Sequence, residues 1–340
     1  MSDDTANRPA ARGFLLLGFS EVRGLRPVQA ALFLPVFLAA LTGNLLIVAV
    51  TVLDRRLHTP LYFLLGNLAL VDLRYVSVTV PKSIPDSLSN GNSVSPPACA
   101  AQVFLVIFLI GSEMALPTVT SHDRLVAVCR PLRYDTVVHR GACASVLAAS
   151  WLSSGLNAAL YATGVFSLSF CAPNVVHQFL CDGPQSLRLA CSSGQGAQKL
   201  SLATTVGLPF FCSVLVVVSY ARIFRAVLRM PAAEGRGKAF STCPPHLAVV
   251  TLLVTSGSSA YLKPISDSPS ALELKLSVFY SVLPPTLNPL IYSLRNRDVK
   301  MAMEKLLGQK PPPPGGGFPL DDQLLGLRPA VCRNKNNKNE

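Results

Sequence analysis

Seven long apolar stretches constrain the fold of this chain more than any other feature of its sequence. They cover roughly residues 29–53, 61–80, 99–128, 142–166, 198–220, 240–262 and 272–293, each long enough to cross a bilayer as a helix. Half of all residues (50%) are hydrophobic and only 14% are charged, whereas soluble domains have about 25% charged residues. The sequence therefore predicts an all-α membrane protein, a seven-transmembrane helix bundle.

Arginine and lysine residues are concentrated in alternate loops, and this asymmetry predicts the orientation of the bundle. One set of loops carries Arg55, Arg56, Arg130, Arg133, Arg140, Arg222, Arg225, Arg229, Arg236 and Lys238. The opposite set carries little beyond Lys82, Arg188, Lys263 and Lys275. Because cytoplasmic loops are enriched in basic residues, we expect the N-terminus outside and the C-terminus in the cytoplasm. The net charge of +12 is then explained by the membrane surface, which argues against a nucleic-acid partner.

The same pattern predicts the division of the chain. Residues 1–28 are expected to form an extracellular N-terminal segment, and residues 29–305 the seven-helix domain, with a short cytoplasmic helix after the seventh span. Residues 306–340 form a low-complexity tail, predicted to be disordered because it carries a run of Pro and Gly. Met1–Arg12 is polar and lacks the apolar core of a cleavable signal, so the first span is expected to insert the chain.

The third apolar stretch, within Cys99 to Tyr134, is the most informative. At a helical rise of about 1.5 Å per residue, Cys99 lies at one membrane face and Arg124 at the other, roughly 37 Å away along the helix axis. Pro131 is expected to end the helix just beyond the membrane. Polar groups inside the span are few, and the most unusual of them is Glu113. Asp72 in the second stretch is predicted at a similar depth, close to the middle of the membrane.

Five short motifs occur in a fixed order between Phe14 and Lys305. They are Leu57-His58-Thr59-Pro60, then Asp123-Arg124 followed by Val126-Ala127-Val128-Cys129, Ser219-Tyr220, Lys238-Ala239-Phe240-Ser241-Thr242-Cys243, and Asn288-Pro289-Leu290-Ile291-Tyr292-Ser293-Leu294-Arg295-Asn296. In this order and at these spacings the chain resembles the olfactory receptors, a family of rhodopsin-like G-protein-coupled receptors. Pro60 also suits the first position of a helix, with Thr59 as its expected cap.

The resemblance implies a multi-pass receptor of the plasma membrane, surrounded by the lipid bilayer. It would bind small-molecule odorants and activate a stimulatory heterotrimeric G protein that raises cAMP. No enzymatic constellation is visible, since the five histidines are scattered and no Gly-rich phosphate loop follows a strand. Two alternatives are a receptor of the same fold for another chemical signal, and a transporter or channel. Transporters often contain internal repeats, and we find none.

The resemblance also implies two sets of functional residues. A ligand cleft would be lined by mostly apolar side chains, namely Val106, Ile107, Ile110, Gly111, Met114, Thr204, Leu208, Gly257, Ser258, Tyr261 and Val278. Each of these residues alone is as consistent with helix packing as with ligand contact. The residues implied for the switch that couples to the G protein are Asp123, Arg124, Tyr220, Lys238, Asn288, Pro289 and Tyr292.

Four cysteines, Cys99, Cys171, Cys181 and Cys191, fall on the predicted outer side, where oxidising conditions favour disulfides. Spacing alone allows three pairings. The resemblance implies Cys99–Cys181 and Cys171–Cys191. A metal site that combines these thiols with His177 is the competing interpretation.

The two mid-membrane carboxylates, Asp72 and Glu113, suggest an ion site. Both cannot be ionised and unpaired in hydrocarbon, so a cation joins them or they share a proton. Asn44 and Asn288 are placed to complete an oxygen-rich site. Many rhodopsin-like receptors hold sodium at the position that matches Asp72, and we favour a structural sodium ion over the shared proton. No other cofactor is predicted.

Several positions depart from the family pattern. His122 and Leu125 stand where tyrosines flank the Asp-Arg pair, Pro117 is expected to interrupt the third helix, and Pro244-Pro245 lie near the predicted start of the sixth. Leu253-Val254 replace an aromatic pair, and the N-terminal segment lacks an Asn-x-Ser/Thr sequon. These departures predict weak coupling to the G protein without a change of fold.

Overall fold

The computed structural model describes residues 14–16, 26–80, 92–168, 175, 176, 181, 195–229, 233–261, 281–292 and 296–308 of the chain. Most of them lie in α1 (Arg26–Leu53), α2 (Pro60–Thr79), α3 (Pro96–Cys129), α4 (Arg140–Phe166), α5 (Gln195–Leu228), α6 (Ala233–Tyr261), α7 (residues 281–292) and α8 (Arg297–Leu306). Short 3-10 segments at Arg55–Leu57 and Pro131–Arg133, and one helical turn at Tyr134–Val137, connect neighbouring helices. Helices α1 to α5 each contain a stretch that is long and apolar enough to span a membrane, and α6 adds a shorter one, Cys243–Gly257.

Helix α3 is the centre of the bundle. It packs against α2, α4, α5 and α6, whereas α1 packs against α2 and α8. In the most apolar 18-residue stretch of α3, 61% of the residues are buried inside the protein, compared with 22% in the corresponding stretch of α4. The remaining surface of α4 is therefore left for lipid. Side chains on α3 are accordingly best placed to connect the other helices.

The two ends of the bundle differ in chemistry. Helices α1, α3 and α5 end, and α2 and α4 begin, at the end that carries Arg55, Arg130, Arg140 and Arg225, which we call the basic end. The opposite end carries Cys99 and Cys181, and we call it the disulfide end. This alternation agrees with the charge asymmetry of the loops in the sequence.

A small sheet, which the sequence did not predict, lies at the disulfide end. Strand β1 (Phe14–Leu16) is central; it pairs antiparallel with β2 (Asn92–Val94) and parallel with β3 (Val175–Val176). Val94 of β2 is 3% exposed and belongs to the same apolar cluster as Cys99 and Cys181. The sheet therefore ties the N-terminal segment and two loops to the start of α3.

Two helices extend further than their apolar stretches predicted. The fifth was predicted to end at residue 220 but continues to Leu228, and the sixth was predicted to begin at residue 240 but begins at Ala233. In α5 the apolar face continues at helical spacing through Tyr220, Ile223 and Val227, which pack in one cluster with Val128. Packing, and not only membrane depth, therefore sets the end of this helix.

Three expectations about where helices are interrupted, begin or are capped were wrong. Pro117 does not interrupt α3, and Pro244 and Pro245 lie well inside α6 and not near its start. Each proline removes one backbone donor, and the hydrogen bonds of the flanking turns keep the helix continuous. Pro60 does begin α2, but the Thr59 side chain makes no capping hydrogen bond there.

Candidate functional site

A group of buried polar side chains lies between α2, α3 and α7. Asp72 is fully buried, and Glu113 and Asn288 are only 3% and 2% exposed. The Asn288 amide donates a hydrogen bond to Asp72 Oδ2 at 2.9 Å. The carboxyl groups of Asp72 and Glu113 contact each other, and Glu113 also contacts Asn288. With Asn44 of α1, these residues form what we call the polar centre.

The amide nitrogen of Asn44 connects α1 to α7. Its amide donates to the carbonyl oxygens of Pro285 at 2.8 Å and Ala40 at 2.9 Å. The helical partner of the Pro285 carbonyl would be the N–H of residue 289, which is a proline and has none. Asn44 thus satisfies a backbone acceptor that Pro289 leaves open. The neighbouring Gly43 permits this approach, since a Cβ there would lie 2.9 Å from Pro289 Cβ.

The polar centre contains more hydrogen-bond acceptors than donors. Four of its side-chain oxygens are buried without a hydrogen-bond partner among the described residues, namely Asp72 Oδ1, Glu113 Oε1, Asn44 Oδ1 and Asn288 Oδ1. Buried polar atoms without a partner are costly, about 1–3 kcal/mol each. Carboxylate and amide oxygens are the ligands that hard cations prefer. This set of oxygen ligands therefore suits a small cation. Protons on the carboxyl groups would also satisfy part of the set.

A small cavity adjoins the polar centre on the side of α6. It has a volume of about 30 Å³ and is lined by Tyr75, Ile110, Glu113, Met114, Leu253, Ser256, Gly257 and Pro284. Ligand pockets typically have about 300–1,000 Å³, so the cavity must widen to admit even a small organic molecule. A Cβ on Gly257 would meet no atom within 4 Å, which shows that space is open on that face of α6.

The structure separates the residues that the resemblance assigned to the ligand cleft. Ile110, Met114 and Gly257 line this cavity together with Glu113. Three others pack against neighbouring helices: Val106 lies in the cluster with Leu64 of α2, Ile107 lies in the cluster around the disulfide, and Gly111 faces Ser154 of α4. These three point away from the cavity because α3 is surrounded on all sides.

Of the remaining residues of the assigned cleft, Leu208 is the one with a described side chain. Leu208 is half-buried on α5 and does not line the cavity. Thr204, Ser258 and Tyr261 lie on α5 and α6, but their side chains are outside the described part of the structure, as is Val278.

The disulfide end is held together by covalent and polar contacts. Cys99 and Cys181 form the disulfide implied by the resemblance, with a Cα–Cα distance of 5.4 Å. The Gln102 side chain accepts from the Cys181 N–H at 3.0 Å and donates to the Val78 carbonyl at 3.4 Å. The implied pair Cys171–Cys191 and the alternative metal ligand His177 lie outside the described residues.

A second buried polar group lies near the basic end, around Arg124. Arg124 is 8% exposed and lines a cavity of about 20 Å³ together with Pro117 and Tyr292. Its Nε is buried and has no hydrogen-bond partner among the described residues. The adjacent Asp123 carboxylate accepts from the Tyr134 hydroxyl at 2.8 Å.

Sequence reasoning missed His246, which completes this group. His246 of α6 is fully buried, its Nδ1 lies 2.8 Å from the Tyr220 hydroxyl of α5, and the two rings stack. Tyr220, His246 and Tyr292 all lie close enough to Arg124 to interact with it electrostatically. We call these four residues the basic-end centre. A histidine inside an apolar stretch was the available signal.

The other residues assigned to the switch occupy distinct positions. Lys238 lies on α6, with its side chain outside the described part of the structure. Of the two residues that depart from the family pattern beside the Asp-Arg pair, His122 is exposed. Leu125 packs in the cluster of Tyr220, Val128 and Ile223. Among the described residues, no group of three or more His, Cys, Asp or Glu side chains is arranged to hold a metal ion.

Comparisons with known proteins agree with this architecture. A model of the olfactory receptor family matches residues 33–310. Olfactory receptor 14J1 of Homo sapiens is 47% identical over 305 residues, covering 89% of this chain and 95% of its own length. Olfactory receptor 14A16 of Homo sapiens is 45% identical, covering 90% and 98%. Squid rhodopsin matches with a TM-score of 0.62 at 16% identity, covering 84% of this chain and 86% of its own. The predicted seven-transmembrane fold is confirmed.

Proposed function

The chain belongs to the olfactory receptor family, and from that premise we propose that it is an odorant receptor coupled to a stimulatory heterotrimeric G protein. The family consists of receptors of the plasma membrane, and its members are not enzymes. Because they are receptors, the transporter and channel alternative is removed. Small, mostly apolar molecules would bind inside the bundle, and the basic end would face the cytoplasm.

One observation supports the proposal: residues assigned to the ligand cleft and Glu113 of the polar centre line the same cavity. Ile110 and Met114 of α3, Gly257 of α6 and the carboxyl group of Glu113 surround the same space. A ligand that enters it must separate α6 from α3, because the space is small. Its apolar surface would contact Ile110, Met114 and Leu253, and a polar atom would find Ser256.

Movement of α6 would transmit the ligand signal to the basic end. Gly257 and His246 are both on α6, about 16 Å apart along its axis. Any shift of α6 away from α3 therefore acts on the contact between His246 and Tyr220. We propose that this shift rearranges the basic-end centre and makes Arg124 available to the G protein. A ligand drives the change only by its higher affinity for the opened arrangement.

A cAMP reporter screened against a chemically diverse odorant panel tests this proposal in cells that express the full chain. Gly257→Val, which fills the cavity, is expected to remove the response to odorants that activate the wild-type chain. Gly207→Val is the matched control, since a Cβ there also meets no atom within 4 Å and residue 207 faces outward on α5. Responses through an inhibitory G protein only, or equal responses from both variants, would contradict it.

We further propose that the polar centre binds sodium. Asp72 and Glu113 would supply carboxylate oxygens, and Asn288 and Asn44 amide oxygens, since each of the four has a buried oxygen without a donor among the described residues. The ion would offset one of the two carboxylate charges and hold α2, α3 and α7 together. Because α3 also carries Ile110 and Met114, opening of the ligand cavity would loosen this site.

The sodium proposal is tested by the melting temperature of the purified, ligand-free receptor. Replacing choline by sodium at constant ionic strength should raise the melting temperature of the wild-type chain, and Glu113→Gln should remove this dependence. A melting temperature that ignores sodium but follows pH would instead support a proton shared by Asp72 and Glu113.

A further inference from the structure

An arginine lies on the outer surface of α2 at membrane depth. Arg74 follows the buried Asp72 by two positions, yet its side chain is exposed on the opposite face of the helix. Within the described residues, its guanidinium makes no hydrogen bond or ion pair. In a membrane-spanning bundle this exposed face contacts lipid or another protein.

Its depth follows from the length of α2. The helix has 20 residues, Pro60–Thr79, enough to cross the hydrocarbon core. Arg74 precedes Thr79 by five residues, so its Cα lies about 7–8 Å inside the disulfide end of the helix. A charged side chain inside hydrocarbon costs a few kcal/mol unless it finds an anion or reaches the interface.

The direction of α2 makes reaching the interface difficult. Side chains on a helix lean towards its N-terminus. Because α2 begins at the basic end, the Arg74 side chain leaves the backbone towards the centre of the membrane, away from the nearer headgroups. The guanidinium would have to turn back along its own helix to meet a lipid phosphate. An anion at the depth of Arg74 would satisfy it without this reversal.

The face around Arg74 carries further polar groups. Asn67 and Ser77 share this stripe of α2, at helical spacing below and above Arg74. Their side chains donate locally, Asn67 to the Phe63 carbonyl and Ser77 to the Leu73 carbonyl, both at 2.7 Å. The Ser77 hydroxyl is exposed and can still accept a hydrogen bond. We call Asn67, Arg74 and Ser77 the outer stripe of α2.

A second copy of this chain does not offer the missing anion from its described residues. The two carboxylates at membrane depth in the described helices, Asp72 and Glu113, are buried inside the bundle. The anion must therefore come from another molecule. Ionisable groups inside membranes normally pair with one another, and a guanidinium matches a carboxylate with two parallel hydrogen bonds.

We propose that the outer stripe of α2 docks a transmembrane helix of a different protein, one that carries an Asp or Glu in the half of the membrane nearest the disulfide end. The carboxylate pairs with Arg74, and small or polar residues of the partner helix pack along Asn67 and Ser77. The contact lies on the outward face of α2, whereas the neighbouring Tyr75 of the same helix lines the ligand cavity.

A reconstituted binding assay tests the pairing. The full chain is placed in neutral phosphatidylcholine bilayers with a single-span Leu-Ala host helix that carries one Glu about 7–8 Å inside the disulfide-end interface. Energy transfer between labels on the two proteins reports association. Arg74→Leu should weaken binding of the Glu helix by about 3- to 30-fold, the range of polar contacts between membrane helices. Arg133→Leu, which removes an exposed arginine at the basic end, should leave it unchanged.

Charge exchange and a lipid competition complete the test. Arg74→Glu should bind a host helix with Arg at the same depth and no longer bind the Glu helix. Arg74→Gln serves as a second variant if Arg74→Leu lowers the melting temperature of the receptor. Equal binding of the Glu and Leu host helices to the wild-type chain would overturn the proposal. So would Arg74-dependent enrichment of phosphatidylserine around the receptor in mixed bilayers, without preference for the Glu helix, which would assign Arg74 to a lipid headgroup.

Discussion

The polar centre and the basic-end centre are both buried and both incomplete, but in opposite senses. At the polar centre, four oxygens lack a donor within the described part of the structure. At the basic-end centre, Arg124 Nε lacks an acceptor among the described residues. The two centres share α3, with Glu113 and Arg124 about 16 Å apart along its axis. One centre could be completed by a cation or a proton, and the other by a hydrogen-bond acceptor.

This difference suggests why α3 serves as the signalling element. An unsatisfied group in a low-dielectric interior is costly, so a partner that satisfies it can shift the balance between two helix arrangements. Under our proposal, a cation at the polar centre would favour the arrangement in which the ligand cavity is closed. An acceptor from the G protein at Arg124 favours an opened one. The following experiments alter one centre at a time.

The largest effect is expected at Arg124. Arg124→Ala removes the buried donor, and ligand-evoked cAMP should fall to the level of cells without the receptor while its surface level is retained. Arg130→Ala is the matched control, because Arg130 is exposed at the same end of α3. Undiminished cAMP output in Arg124→Ala would remove this residue from the mechanism.

The contact between α5 and α6 should have a smaller, measurable effect on stability. Tyr220→Phe leaves His246 buried without its partner, at an expected cost of about 1–3 kcal/mol in the free energy of unfolding. A cycle of Tyr220→Phe, His246→Phe and the double variant, followed by melting temperature, isolates the pair. If the two single effects simply add, the hydrogen bond does not hold α5 to α6.

Asn44 should contribute somewhat less. Asn44→Leu leaves the Pro285 carbonyl of α7 without a donor, and polar contacts between membrane helices contribute about 0.6–2 kcal/mol. We expect a lower melting temperature for Asn44→Leu and none of this loss for Thr42→Ala, which alters an exposed residue two positions earlier. A loss shared by both variants would show that α1 is generally sensitive to substitution.

The smallest effect is expected from the positions that depart from the family pattern. Leu125 packs beside Tyr220 between α5 and α6, whereas the His122 side chain is exposed. Leu125→Tyr should therefore raise ligand-evoked cAMP per surface receptor by a few-fold at most, and His122→Tyr should change it little. If only His122→Tyr raises the signal, the effect arises at a protein partner and not at the basic-end centre.

Much of this architecture could be predicted because membrane helices are long and apolar. The length of each stretch gives depth, so Asp72, Glu113 and Arg124 could be placed along the membrane normal. Depth does not tell which way a side chain faces. Val106 and Gly111 were assigned to the cleft but pack against α2 and α4, and the exposure of Arg74 was missed.

Other features depend on contacts between distant parts of the chain. Strand β1 has only three residues, too few for an alternating pattern, and it exists because β2 and β3 pair with it. The sequence alone could not show that the Asn44 amide nitrogen donates to a carbonyl that a proline on another helix leaves open. His246 becomes recognisable as functional only once α5 brings Tyr220 against it.

The most direct test of the link between the two centres is nucleotide exchange by a stimulatory G protein on the reconstituted, ligand-free receptor. Binding linkage is reciprocal, so a cation that favours the closed arrangement must disfavour the G-protein-bound one. Raising sodium at constant ionic strength should lower the exchange rate with the wild-type chain and leave it unchanged with Glu113→Gln. An exchange rate equally indifferent to sodium in both proteins would contradict the proposed opposition between the polar centre and the basic-end centre.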